Sequence, residues 1–115
     1  DLAHLHAVAA ARGAAFDVVL LPYEYQLRAT ASGAAASGEA ADVFLPQRRL
    51  AGRLSARGVP VRDAAPYLLA RVGDPSALYL YGDGIHLSAA GHRLVADFVD
   101  TFEVRRVKDE VGRQE

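Results

Sequence analysis

The run FDVVLLP at residues 16–22 constrains the fold more than any other stretch of the chain. From Phe16 to Leu21 it is apolar and β-branched with no polar alternation, which fits a strand covered on both faces, as in a parallel sheet between helices. Pro22 lacks the N–H that a ladder needs and ends the strand. A second short strand is expected at VPVRD, residues 59–63. Residues 1–15 are rich in strong helix formers, with Leu2, Leu5, Val8 and Ala9 at near-helical spacing, so a helix ending near Gly13 is expected. Residues 44–57 give another, with Pro46 in its first turn, Leu50 and Leu54 on one face, and Gly58 as its stop. Helices alternating with strands in this order imply an α/β fold with crossovers onto a parallel sheet. Two or three strands would leave an apolar sheet edge exposed, so the pattern suits part of a larger α/β domain.

The remaining segments fill in that frame. Ala29–Asp42 (ATASGAAASGEAAD) is Gly/Ser/Ala-rich and suggests a mobile surface loop or lid. A short helix is expected around Pro66–Ala70, a turn at Gly73-Asp74-Pro75, and an extended apolar run from Leu78 to Tyr81. From Ser88, a plausible N-cap, the residues Leu94, Val95, Phe98, Val99 and Phe102 follow the spacing of a core-facing helix. The domain is expected to span 1–102, with 103–115 as a charged, solvated continuation or tail.

Composition narrows the functional classes. A chain of 115 residues has room for one modest core and no second domain. A formal net charge of -1 supplies no field for a polyanion, so nucleic acid is not an expected partner. Absence of an apolar run of about 20 residues argues against a membrane span. With 0 Cys there is no disulfide, thiolate nucleophile or zinc-thiolate site, and the compartment stays open. His4 and His6 stand two apart on the expected first helix and point in different directions, so no metal site is expected there. A chain with 0 Met that starts at Asp1 is expected to be a piece of a longer polypeptide.

The stretch YGDGIHLSAAGHRLVADFV, residues 81–99, carries the chemical signal. Asp83 and His86 stand three apart in a Gly-flanked turn ahead of the last helix. Gly82 and Gly84 permit tight backbone geometry, so the carboxylate can reach the imidazole, hold its tautomer and stabilise the imidazolium formed on proton uptake. Taken alone, the pair also fits a turn aspartate beside a histidine satisfied by backbone, and the surrounding L-S-x-x-G-H followed by an apolar helix favours the catalytic role. His92, on the final helix, fits a surface or packing role better than that of a second base. Tyr23, Glu24, Tyr25, Gln26 and Arg28 follow the first strand, at the end of a parallel sheet where ligands bind. Tyr23, Tyr25, Gln26 and Arg28 are candidates to line a sugar or acyl site, or else to anchor a loop on the protein's own surface. Asp63 suits a loop contact or a cap on the next helix.

D-x-x-H followed by L-S-x-x-G-H and an apolar helix resembles the last sequence block of the SGNH (GDSL-type) hydrolase superfamily. The resemblance is sharp over residues 78–99 and extends loosely over 1–102. It implies the C-terminal portion of a three-layer α/β/α sandwich with a parallel, flavodoxin-like sheet. It also implies Asp83 as orienting acid and His86 as general base of a Ser-His-Asp triad, an ester substrate that is a small molecule or carbohydrate, and no cofactor. The G-D-S-type nucleophile turn and the G-x-N-D block of that family are absent, and Ser32, Ser37, Ser55, Ser76 and Ser88 sit in no such context. The serine is therefore expected outside this chain, in a missing N-terminal portion of the same domain. The alternative is a non-catalytic carbohydrate-binding or interaction module on the same scaffold.

Overall fold

Two three-residue strands, β1 (Val18–Leu20) and β2 (Val61–Asp63), run parallel with Val18 opposite Val61, Val19 opposite Arg62 and Leu20 opposite Asp63. Flanking bonds lengthen the pairing, from Val18 N–H to the Pro60 carbonyl at 2.9 Å and from Ala64 N–H to the Leu20 carbonyl at 3.0 Å. In the computed structural model, which describes residues 1–33 and 42–114, the helices are α1 (Leu2–Ala11), α2 (Glu24–Ala31), α3 (Leu45–Ser55), α4 (Ala65–Leu69) and α5 (Ala89–Gln114), with a 3₁₀ turn at Pro75–Leu78. The chain is thus a mixed α/β protein with a two-stranded parallel sheet. No helix among the described residues is long and apolar enough to cross a membrane.

Local chemistry sets most of the boundaries. The Asp1 carboxylate accepts the His4 N–H at 2.9 Å and starts α1. Pro46 lies in the first turn of α3, and Gly58, at φ +74°, lets the Val59 N–H return to the Leu54 carbonyl at 3.0 Å to close its last turn. Leu54 is buried while Leu50, expected on the same inward face, is exposed. The Asp63 carboxylate accepts the Ala65 N–H at 3.0 Å, so Asp63 ties down the first turn of α4.

Two segments depart from expectation. Tyr23 to Arg28 do not form a loop: Glu24–Ala31 is helix α2, whose polar and Ala-rich sequence hides its single buried stripe of Gln26 and Leu27. Ala29–Ala31 of the expected loop belongs to that helix, Asp42 accepts hydrogen bonds from the Phe44 N–H and the Arg48 guanidinium, and residues 34–41 lie outside the described residues. The sequence from 103 onward continues α5 without a break to Gln114.

The core lies between α2, α4, the 3₁₀ turn and α5, where Leu27, Ala64, Ala65, Leu68, Leu78 and Tyr79 are buried and Leu94, Val95 and Phe98 of α5 pack against them. α1, by contrast, buries none of its residues. The chain exposes 7795 Å², against about 6,100 Å² for a compact monomer of 12.3 kDa. The surplus includes apolar side chains on α1 (Leu5) and on the distal turns of α5 (Val107 and Val111).

An ionic clasp joins α5 to the sheet. The Asp17 side chain, 10% exposed, receives the Arg106 guanidinium at Oδ2. Among the described residues its Oδ1 has no hydrogen-bond partner, with Arg62 Nε at 3.6 Å, beyond hydrogen-bond range. Arg62 also lies over the Phe102 ring, 5.1 Å from its centroid. Removing one partner of a mostly buried pair strands the other charge. Arg106→Ala is therefore expected to lower stability by about 2 kcal/mol in urea unfolding, and Asp17→Asn in the same chain to recover part of that loss.

Candidate functional site

The Asp83–His86 pair sits at the tip of a short antiparallel hairpin. Ser88 N–H donates to the Leu78 carbonyl and Leu80 N–H to the His86 carbonyl, each at 2.9 Å, on either side of the Tyr79–Leu87 bridge. The expected extended run thus begins only at Tyr79, because Leu78 closes the 3₁₀ turn. Asp83 N–H returns to the Leu80 carbonyl at 3.0 Å, closing a β-turn with Gly82 in third position at φ +74°. A side chain is strained there, whereas glycine is not.

Asp83 works in two directions. Its Oδ1 accepts the N–H groups of Ile85 at 2.8 Å and His86 at 3.1 Å, which folds the next three residues around the carboxylate. Its Oδ2 lies 2.5 Å from His86 Nδ1. A carboxylate only accepts, so Nδ1 carries the proton and Nε2 of the neutral ring keeps its lone pair. The His86 side chain is 72% exposed, and its Nε2 has no hydrogen bond among the described residues. The hydrogen bond from His86 is the main cause that holds the Asp83 carboxyl down at about 2, and the backbone N–H groups of His86 and Ile85 add to it.

The hairpin is seated on the first turn of α5. Ser88 Oγ accepts the Gly91 N–H at 3.2 Å, as the cap expected from sequence, and donates to the Ala77 carbonyl at 2.7 Å. Gly91 is buried, and a Cβ there would stand 2.1 Å from the Leu78 carbonyl oxygen and 3.1 Å from Leu87 Cδ2. Only glycine lets the helix come this close. On the opposite side the Tyr79 hydroxyl, buried in the core, donates to the Pro22 carbonyl at 2.5 Å and ties the hairpin to the end of β1. Burial first, and the nearby Glu24 charge second, push the Tyr79 phenol up to about 12, so it remains a donor across the physiological range.

The four residues expected to line a substrate site divide. Gln26 is 1% exposed, and its amide is fully used: Oε1 accepts the Tyr23 N–H and the Gln47 amide, each at 2.8 Å, while Nε2 donates to the Val43 carbonyl at 2.5 Å and to Gln47 Oε1 at 3.0 Å. Gln26 belongs to the fold and has nothing left to offer a substrate, a correction to its expected role. Tyr23 and Tyr25 are exposed and stacked, with ring centroids 6.0 Å apart. Arg28 pairs with Glu24 one turn earlier on α2, and both line a cavity of about 520 Å³ with Tyr79, Tyr81, Gly82 and Gly84 beside the hairpin tip.

The other candidates stay apart from this site. His92 is exposed on α5 and is not hydrogen-bonded to the pair. His6 lies edge-on to Phe16, and His4 is exposed on α1. Among the described serines, Ser32 gives its hydroxyl to the Ala29 carbonyl, Ser76 to Asp74 and Ser88 to the Ala77 carbonyl. None of these hydroxyls reaches His86, and Ser37 lies outside the described residues. Two residues have structural duties at the site that the sequence did not show. Gly91, within L-S-x-x-G-H, follows the Ser88 cap by three, the spacing that places its N–H on that cap. Glu24, grouped from sequence with the residues after the first strand, opens a helix that local pattern did not mark.

Comparison of the chain with protein-family models, with curated proteins and with solved structures finds no match.

Gly91→Ala tests the seating of the hairpin. Elsewhere in a helix the change from glycine stabilises by about 0.5–1 kcal/mol, and Gly112→Ala, with open space around it in the same helix, is expected to do so. At 91 the Cβ meets backbone, and a loss of about 2 kcal/mol or more is expected in thermal or urea unfolding. The pH dependence of the Asp83 contacts follows from the depressed carboxyl. The folded Asp83 carboxyl lies at about 2, below its ordinary 3.8, so its stabilising contacts are complete above about 3.8 and disappear as pH falls through 2. Carboxyl ¹³C titration is expected to place its midpoint near 2, and Asp83→Asn to remove that part of the acid sensitivity.

Proposed function

We propose that this chain is the C-terminal part of a serine esterase of SGNH/GDSL type, contributing Asp83 and His86 to a triad whose serine lies outside it. The observation that carries the proposal is the 2.5 Å Nδ1–carboxylate contact on a ring left 72% exposed. The tautomer is set on one side of the imidazole while the other nitrogen remains open to a hydroxyl. The two-stranded sheet and an α1 that buries nothing favour a larger three-layer α/β/α sandwich whose other strands would cover these surfaces. The cavity beside the hairpin tip, lined by Arg28 and Tyr81, and the exposed Tyr23–Tyr25 stack at the start of α2 suit a small-molecule or carbohydrate ester.

In this reaction the serine hydroxyl attacks the ester carbonyl as His86 Nε2 takes its proton, and Asp83 stabilises the imidazolium through Nδ1–H. The tetrahedral intermediate collapses, expelling the alcohol with the proton from Nε2. Water then attacks the acyl-serine, giving its proton to Nε2, and the carboxylic acid leaves as that proton returns to the serine oxygen. The Gly82 turn and the Asp83 carboxylate hold the ring ready, so little reorientation is needed at the moment of attack. Among the described residues no serine hydroxyl reaches His86, and the chain alone should turn over esters at close to background.

The exposed Tyr23–Tyr25 stack supports a second proposal, a carbohydrate-binding or interaction module that uses the same scaffold without catalysis. The longer polypeptide decides between them. The esterase requires labelling of one serine by a fluorophosphonate and a drop of about 10⁴-fold in kcat for His86→Ala. Absence of labelling, or turnover unchanged by His86→Ala, would leave the binding module.

A further inference from the structure

We infer that the backbone N–H of Glu24 is the positioning element for the Asp83–His86 pair, pinning the hairpin tip to the start of α2. The inference rests on the esterase proposal for its functional meaning and on geometry for its existence.

Between Asp83 and His86 the backbone receives one hydrogen bond from outside the hairpin among the described residues, from Glu24 N–H to the Gly84 carbonyl at 3.0 Å. Glu24 is the first residue of α2, and the first N–H groups of a helix have no partner inside it. Giving this one to Gly84 therefore costs the helix nothing. The contact is close on the carbon side as well, because a Cβ on Gly84 would stand 3.3 Å from Glu24 Cβ.

What makes the pin firm is the helix behind it. Two residues further on, Gln26 is locked by its saturated amide, and Leu27 is fully buried in the core. The hairpin base is fixed by the Leu78–Ser88 and Leu80–His86 bonds, so the tip is held at two ends, by its own ladder and by α2. Without the Gly84 contact the tip would be supported only from its base, and the exposed imidazole would sample a wider arc. A misplacement of about 1 Å is enough to cost a catalytic group about 10²-fold.

The first position of a helix accepts proline, and Tyr23, at φ -81° and ψ 156°, already has the extended backbone required before one. Glu24→Pro thus removes the N–H and spares the helix, while Glu24→Ala keeps the N–H and removes only the carboxylate. Both are made in the full 115-residue chain and read by carboxyl ¹³C titration of Asp83 and by hydrogen exchange at the Asp83 amide, which closes the tip turn on the Leu80 carbonyl. Glu24→Pro is expected to raise the Asp83 midpoint by about one unit and to speed exchange of the Asp83 amide about tenfold, with Glu24→Ala changing neither.

An Asp83 midpoint unmoved by Glu24→Pro overturns the inference, as does an equal shift in Glu24→Ala, which would assign the effect to charge. Should Glu24→Pro fail to fold, Gly84→Ala decides, since it presses the tip off Glu24 from the other side. A rise in the Asp83 midpoint supports the pin and a constant one overturns it. In the longer polypeptide Glu24→Pro is expected to lower kcat about tenfold or more with KM unchanged. Failure of His86→Ala to affect turnover there would refute the esterase and leave the Asp83 result standing on its own.

Discussion

The contact of the Leu78 carbonyl with Gly91 decides where everything else at this end of the molecule can be. It sets the hairpin directly on the first turn of α5, and at that separation Ser88 can cap the helix and close the hairpin ladder at once. One residue therefore belongs to two elements, and their relative placement has no freedom left. The Tyr79 hydroxyl completes the arrangement by fastening the same hairpin to the end of β1. The Asp–His turn is thus a short cantilever on a rigid base, and its precision comes from neighbours that never touch the imidazole.

Some of this could be read from the residues. Pattern alone located β1 in FDVVLLP, β2 in VPVRD, α3 behind Pro46, and the Ser88 cap, because each depends on short-range stereochemistry. The pairing of Asp83 with His86 was also legible, since a three-residue offset inside a Gly-flanked turn leaves few other geometries. Helix α2 was not. Its segment EYQLRATA has no apolar stripe, as the position that should carry one is Gln26, buried through four hydrogen bonds that include partners 17 and 21 residues away. Burial by distant polar partners leaves no trace in local periodicity. The continuation of α5 past Phe102 was obscured for a related reason: Arg106 looks solvated in sequence, but meets Asp17 from the other end of the chain.

The two halves of the molecule are unequally finished. Around α2, α4 and α5 the apolar residues are enclosed and the polar ones paired, as in an ordinary core. Around α1 they are not: that helix buries none of its residues and leaves Leu5 exposed, and two parallel strands are fewer than such sheets usually have. The catalytic proposal and this imbalance point the same way, toward a domain whose remaining strands and nucleophile come from elsewhere. They rest on different physics, one on proton chemistry and the other on surface area.

The amide pair of Gln26 and Gln47 has a further consequence. Neither group gains or loses a proton in water, and neither carries a charge for dissolved ions to screen. The brace between α2 and α3 should therefore hold equally in acid, in alkali and in brine, whereas dissolved ions screen the charged Asp17 clasp on α5. The hairpin tip, with its ionised Asp83, thus stands on a scaffold whose own brace is electrically silent.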